Sequence, residues 1–105
     1  MKNSLELKIK NSNVKDKRFT ALFIDKNNKV VKTTHFGLKN PKFGTFIDHA
    51  DKTRRKNYIA RHEVREKKFY KDPKRASTLS RFILWGNSSN LKEAIEEYKK
   101  KYNLL

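Results

Sequence analysis

The side chains able to do chemistry here are three histidines, His35, His49 and His62, 11 carboxylates and a dense set of Lys and Arg. His49 and Asp51, with His62 further along, suggest metal ligands at first sight. The chain has no Cys, no His-Glu-x-x-His and no spacing that marks a zinc or iron site. The histidines are therefore expected as hydrogen-bonded structural residues or phosphate contacts, and neither a metal nor a cofactor is expected. Metal-assisted attack on phosphate needs clustered carboxylates. Here Asp48 and Asp51 are close in sequence, Glu63 and Glu66 lie about one helical turn apart, and Glu93, Glu96 and Glu97 come much later. Glu63 and Glu66 read most simply as ion-pair partners of nearby Arg and Lys on the same helix. Gly37, Gly44 and Gly86 are too far apart to form a phosphate loop, and no nucleophile motif occurs. The expectation is a protein that is not an enzyme, with no catalytic residue.

The basic side chains carry more information. Between Lys52 and Arg75, 11 Lys and Arg stand against 3 Asp and Glu, a net +8, with Tyr58, Phe69 and Tyr70 interleaved. On a helix Arg54, Arg61, Arg65 and Lys68 line one edge of an apolar stripe formed by Tyr58, Ile59, His62 and Phe69. Such an edge beside an exposed Tyr tracks a phosphate backbone. Arg54, Arg55, Arg61, Arg65, Lys67, Lys68, Lys74 and Arg75 are the expected nucleic-acid contacts. His35, His49, His62, Asp51 and Asp72 are the expected structural polar residues, the histidines orienting a hairpin against the helix. The bland alternative is a solvated helix face with Tyr58 and Phe69 in the core.

Composition supports a polyanionic partner. The 105 residues hold 27 Lys and Arg against 11 Asp and Glu, a net charge of +16. Lys, Asn, Ile, Phe and Tyr, whose codons are A/T-rich, make up 47 of the 105 residues, so nucleotide bias accounts for part of the Lys excess. It does not account for the scarcity of acids, which points to nucleic acid, an acidic protein surface or anionic lipid. The length predicts one domain over residues 1–105, and 35% hydrophobic residues predict a small core. No run approaches the roughly 18–20 apolar residues of a membrane span, and Met1-Lys2-Asn3-Ser4-Leu5 lacks the apolar stretch of a signal peptide. A soluble protein working inside a cell, or in a particle assembled there, is expected, without disulfides.

The elements follow from periodicity. Leu5 to Lys10 alternates apolar and charged residues, the pattern of a half-buried strand. Residues 11–18 are the most linker-like stretch, and 1–18 read as a strand and linker whose ordering depends on a partner. Phe19 to Ile24 and Val30 to Phe36 read as strands joined by a turn at Asp25-Lys26-Asn27-Asn28-Lys29. Residues 37–45, with Asn40-Pro41 and Gly44, read as a loop. From Asp48 to Phe69, free of Pro and Gly, the period is helical. Asp72-Pro73 is a helix start, with Leu79, Phe82 and Ile83 on one face and Gly86 as the stop. Asn90 and Glu93 resemble a capping box before a helix to Tyr102. The predicted class is α+β: a small antiparallel sheet of three N-terminal strands including a hairpin, then three helices. The last two helices invite a helix-turn-helix reading, but Glu93, Glu96 and Glu97 would face phosphates. That pair is better read as core, with Trp85 as a packing anchor.

The series Lys32-Thr33-Thr34-His35-Phe36-Gly37, Asp51 through Arg61-His62, Asp72-Pro73 and Leu79-Ser80-Arg81-Phe82-Ile83-Leu84-Trp85 resembles a group of small basic proteins of unassigned function. These are encoded by giant viruses, the nucleocytoplasmic large DNA viruses. The resemblance covers residues 19–102 and departs from the group's pattern between Gly37 and Asp48 and at Gly86. It implies a viral origin and a protein carried in the virion after assembly in cytoplasmic viral factories, and it implies no activity and no catalytic residue. Together these readings give a non-enzymatic, virion-associated protein that binds nucleic acid, DNA or RNA, without sequence preference in genome packaging. The alternative is a minor capsid or scaffold protein cementing the acidic faces of other virion proteins.

Overall fold

The computed structural model describes residues 5–39 and 44–105. Strands β1 (Glu6–Asn11), β2 (Lys17–Ile24) and β3 (Val30–Leu38) form an antiparallel sheet in the order β1-β2-β3. Helices follow, so the fold is α+β. The register sets Leu7 opposite Phe23, Ile9 opposite Ala21 and Phe36 opposite Phe19. One sheet face thus collects Leu7, Phe19, Ala21, Phe23 and Phe36, all buried, as the two-residue side-chain period requires. The opposite face carries Lys8, Lys10, Thr33 and His35. Residues of Asn40-Pro41 and of Met1 to Ser4, read above as loop and N-terminal segment, lie outside the described residues.

The β2–β3 turn is as predicted: Asp25 Oδ1 accepts the N–H groups of Asn27 and Lys29, each at 2.9 Å, and Asn28 takes a left-handed φ of 63°. The linker reading of residues 11–18 is corrected, because this stretch is itself a hairpin. Asn11 closes β1, Lys17 and Arg18 open β2, and Ser12 N–H donates to the Arg18 carbonyl at 3.0 Å. Ser12 Oγ accepts from Val14 N–H and Asp16 has φ 66°. Short polar residues that satisfy a tight turn have the same composition as a linker. The outer edge of β1 is paired by the backbone of Leu105, which donates to Leu5 and accepts from Leu7 at 2.9 and 2.8 Å.

The helical half comprises α1 (Phe46–His49), α2 (Lys52–Glu66) with a 3₁₀ turn at Lys67–Phe69, α3 (Ala76–Leu79) running directly into a π-helical turn at Ser80–Leu84, and α4 (Leu91–Tyr102). Two predicted boundaries are corrected. The helix expected from Asp48 to Phe69 is interrupted at Ala50, φ 55°, because Asp51 caps a new helix, accepting from Thr53 and Arg54 N–H at 3.0 and 3.2 Å. Asp72-Pro73 opens a turn and not a helix: Asp72 Oδ1 accepts from Lys74 N–H at 2.9 Å, and α3 begins only at Ala76. At α4 the cap is half as predicted. Asn90 Oδ1 accepts from Glu93 N–H, but the return bond runs through Ser88, whose Oγ accepts from Asn90 N–H and donates to Glu93 Oε1, both at 3.0 Å.

Leu79, Ile83, Leu84, Ala94 and Tyr98 cover the apolar sheet face. The π turn adds one residue to the ladder, with Trp85 N–H donating to Ser80 O at 3.1 Å, and so brings Ile83 and Leu84 into the core together. Tyr98 and Tyr102 donate to the carbonyls of Pro73 and Tyr70, each at 2.6 Å, and burial raises both phenols, Tyr102 to about 12. Among the described residues no helix is long and apolar enough to cross a membrane.

Candidate nucleic-acid interface

Helix α2 buries no residue completely. Its exposed side carries Thr53, Asn57, Ala60 and Val64 flanked by cations. The exposed residues Lys52, Arg54, Lys56, Arg61 and Arg65, followed by Lys67 and Lys68, are the only charged groups on its outer side among the described residues. The acids of this stretch are each partly buried. Asp51 caps the helix and lies 3.4 Å from Arg54. Glu63 Oε1 is 3.8 Å from Nε of Arg81, on the π turn. Glu66 is half-buried, and its Oε1 is shielded from water with no hydrogen-bond partner among the described residues. The expectation that Glu63 and Glu66 pair with cations of their own helix is thereby corrected: Glu63 pairs across to Arg81, and no ion pair within the helix joins either acid to its cations among the described residues.

The inner side is held by aromatic rings. Tyr58 stacks on Trp85 with centroids 4.4 Å apart at 6°, and on His62 at 3.9 Å and 20°. His49 follows at 5.5 Å from Trp85, and Phe46 at 6.5 Å from His49. His62 Nδ1 bonds the Tyr58 carbonyl at 2.9 Å, and His49 Nδ1 accepts from Asp51 N–H at 2.8 Å. Burial pushes the Tyr58 phenol above its ordinary range. The expected exposed Tyr beside the Arg edge is therefore corrected to a covered one. His49 packs on Trp85 beside the π turn, and His62 contacts Tyr58 of its own helix. His35 stays within the sheet, its Nδ1 hydrogen-bonded to Thr20 Oγ1 at 2.8 Å and Ser12 Oγ at 3.3 Å.

The predicted contact residues divide into three groups. Arg54, Arg61, Arg65, Lys67 and Lys68 are exposed, and so are Lys52 and Lys56, on the other flank of the helix from Arg54, Arg61 and Arg65, which a search along the Arg edge alone passes over. Arg55 belongs to the interior: Nε donates to Gly86 O at 2.6 Å and Nη2 to Asn87 Oδ1 at 2.8 Å. Burial pulls its pKa down. Lys74 and Arg75 sit apart, beside β3. The Arg75 guanidinium lies 4.0 Å from the centre of the Phe69 ring, which also carries the Lys68 ammonium at 5.2 Å. None of the described aromatic residues is exposed.

Asp48 and Asp51 are both committed. Arg18 donates to Asp48 through Nη1 and Nη2 at 2.8 and 2.7 Å, tying β2 to α1. These bonds hold the Asp48 carboxyl well below the usual carboxylate range. Among the described residues no group of His and carboxylates could hold a metal ion.

A family model described as Family of unknown function (DUF5754) matches residues 7–62, from β1 to His62 of α2. No curated protein and no solved structure matches the chain.

Proposed function

We propose that this chain, which belongs to the family of unknown function DUF5754, is a non-enzymatic protein that binds nucleic acid by its phosphate backbone through the outer face of α2. The observation that carries this reading is the excess of exposed cations on this segment: seven from Lys52 to Lys68, with Arg54, Arg61 and Arg65 along one flank of the helix and Lys52 and Lys56 along the other, against Asp51, Glu63 and Glu66, each partly buried. Lys and Arg on long stems meet phosphates at many registers and discriminate little between bases. Single-strand binders use exposed aromatic platforms for stacking, and none of the described aromatic residues here is exposed. Duplex is thus the preferred form. A role in packaging a genome into a virion belongs to the same proposal, and the sequence resemblance to small basic proteins of giant viruses supports it.

Fluorescence anisotropy on two duplexes of unrelated sequence and on one single strand tests the reading. Equal affinity for both duplexes, and no tighter hold on the single strand, is expected. Absence of duplex binding, or a preference for one sequence or for the single strand, contradicts it. In disrupted particles nuclease digestion should release the chain; retention at fixed stoichiometry on an acidic virion protein contradicts packaging and favours the cementing role.

A further inference from the structure

Beside β3 lies a groove of about 630 Å³, walled on the other side by the turn that leads into α3. It is lined by the cations Lys32, Lys74 and Arg75, by the hydroxyl residues Thr33 and Ser77, and by His35. The one carboxylate in it, Asp72, is already engaged. It accepts from Lys74 N–H at 2.9 Å and lies 4.0 Å from the Lys74 ammonium. No ion pair joins Lys32 or Arg75 to a carboxylate among the described residues.

The walls are fixed before any ligand arrives. Thr34 Oγ1 donates to the Lys74 carbonyl at 2.6 Å, pinning the turn to the strand. Thr20 and Ser12 hold His35 by Nδ1 on the other face of the sheet, which fixes the strand that walls the groove. The Arg75 guanidinium lies over the Phe69 ring at 4.0 Å from its centre, which restricts its rotamers, and its N–H fork suits a planar or tetrahedral oxyanion. Lys68 on the same ring makes the groove continuous with the cationic end of the α2 segment.

We propose that this groove is a second phosphate seat, taking a phosphodiester of the nucleic acid whose backbone runs along α2. Lys32 and Arg75 supply the charge, and Ser77 supplies a hydrogen bond to a non-bridging oxygen. The proposal rests on the nucleic-acid reading of α2 for its ligand but on the groove alone for its chemistry, so two measurements separate them.

The first is an NMR titration of the full chain with inorganic phosphate. Saturable shifts confined to the groove, Ser77 among them, and lost in the Lys32→Gln/Arg75→Gln double variant, are expected. No saturable shift, or one that persists in the double variant, overturns the seat. The second is duplex binding over a salt series. The double variant should retain binding, with the slope of log K against log salt reduced by about 0.9, the value for one lost phosphate contact. An unchanged slope overturns the proposal while leaving the α2 reading intact. A groove that seats phosphate in a chain that binds no duplex upholds the anion site and removes α2 from the account.

Discussion

The rings of Tyr58 and Trp85 lie parallel within 6°, their centres 4.4 Å apart, and this contact joins the cationic helix to the rest of the fold. Helix α2 buries no side chain fully, so its attachment depends on a few contacts of one side: this stack, the Arg55 bonds to Gly86 and Asn87, and the Glu63–Arg81 pair. Offset aromatic pairs add about 0.5–1.5 kcal/mol beyond area burial. An account in which α2 presents cations needs this anchor intact.

Trp85→Ala should therefore destabilise the protein by about 3 kcal/mol, the lower part of the range for removing a large aromatic side chain. Tyr58→Phe, which keeps the stacked ring, should change stability by less than about 1 kcal/mol. Denaturant unfolding followed by far-ultraviolet circular dichroism gives both values. Equal losses in the two variants would show that the hydroxyl, and not the ring contact, holds α2.

Gly86 is required by contact and not by its backbone angles. A Cβ there would stand 2.3 Å from the Phe82 carbonyl oxygen at the end of the π turn. Gly86→Ala forces the turn to shift and should cost about 2–3 kcal/mol, as overpacking does. Thermal unfolding of the variant checks it: a midpoint equal to that of the parent protein would mean that the turn yields freely.

Asp48 makes part of the stability dependent on acid. Its folded pKa is depressed below the ordinary 3.8, first by the Arg18 hydrogen bonds and then by those of Thr45. A depressed carboxylate contributes stability that is complete above the ordinary value and is lost as pH falls through the lower folded value. The side chain is about one-third exposed, so Asp48→Asn should be less stable by only about 1 kcal/mol at neutral pH. That difference should shrink as the pH falls below 3.8. A difference that stays constant into strong acid would show that the pair contributes nothing specific.

The sheet was legible in the sequence because alternation of Leu5, Leu7 and Ile9 and the Asp25–Lys29 turn are local signals of period two. The helical boundaries were less so. Asp51 and Asp72 have the same residue type and a similar place before a basic stretch, yet Asp51 caps a helix and Asp72 an isolated turn, a choice made by packing at Thr34 and Tyr98. The exposed cations of the Arg edge followed from helical spacing, and Arg55 could not be told apart from them, since its partners at Gly86 and Asn87 are about thirty residues away. Nor could spacing show that Tyr58 faces Trp85, because the π turn that aims the tryptophan has no sequence signature. The groove beside β3 brings together Lys32 and Arg75 from opposite halves of the chain, a pairing that only the tertiary fold creates.

The central claim, that the outer face of α2 is a phosphate-binding surface, is tested most directly by the salt dependence of duplex affinity in the intact protein. Single Gln substitutions are placed at Lys56, Arg61 and Arg65. The account predicts a steep negative slope of log K against log salt for the parent protein, made shallower by about 0.9 at each of the three positions. A slope near zero, or one that all three substitutions leave unchanged, contradicts it.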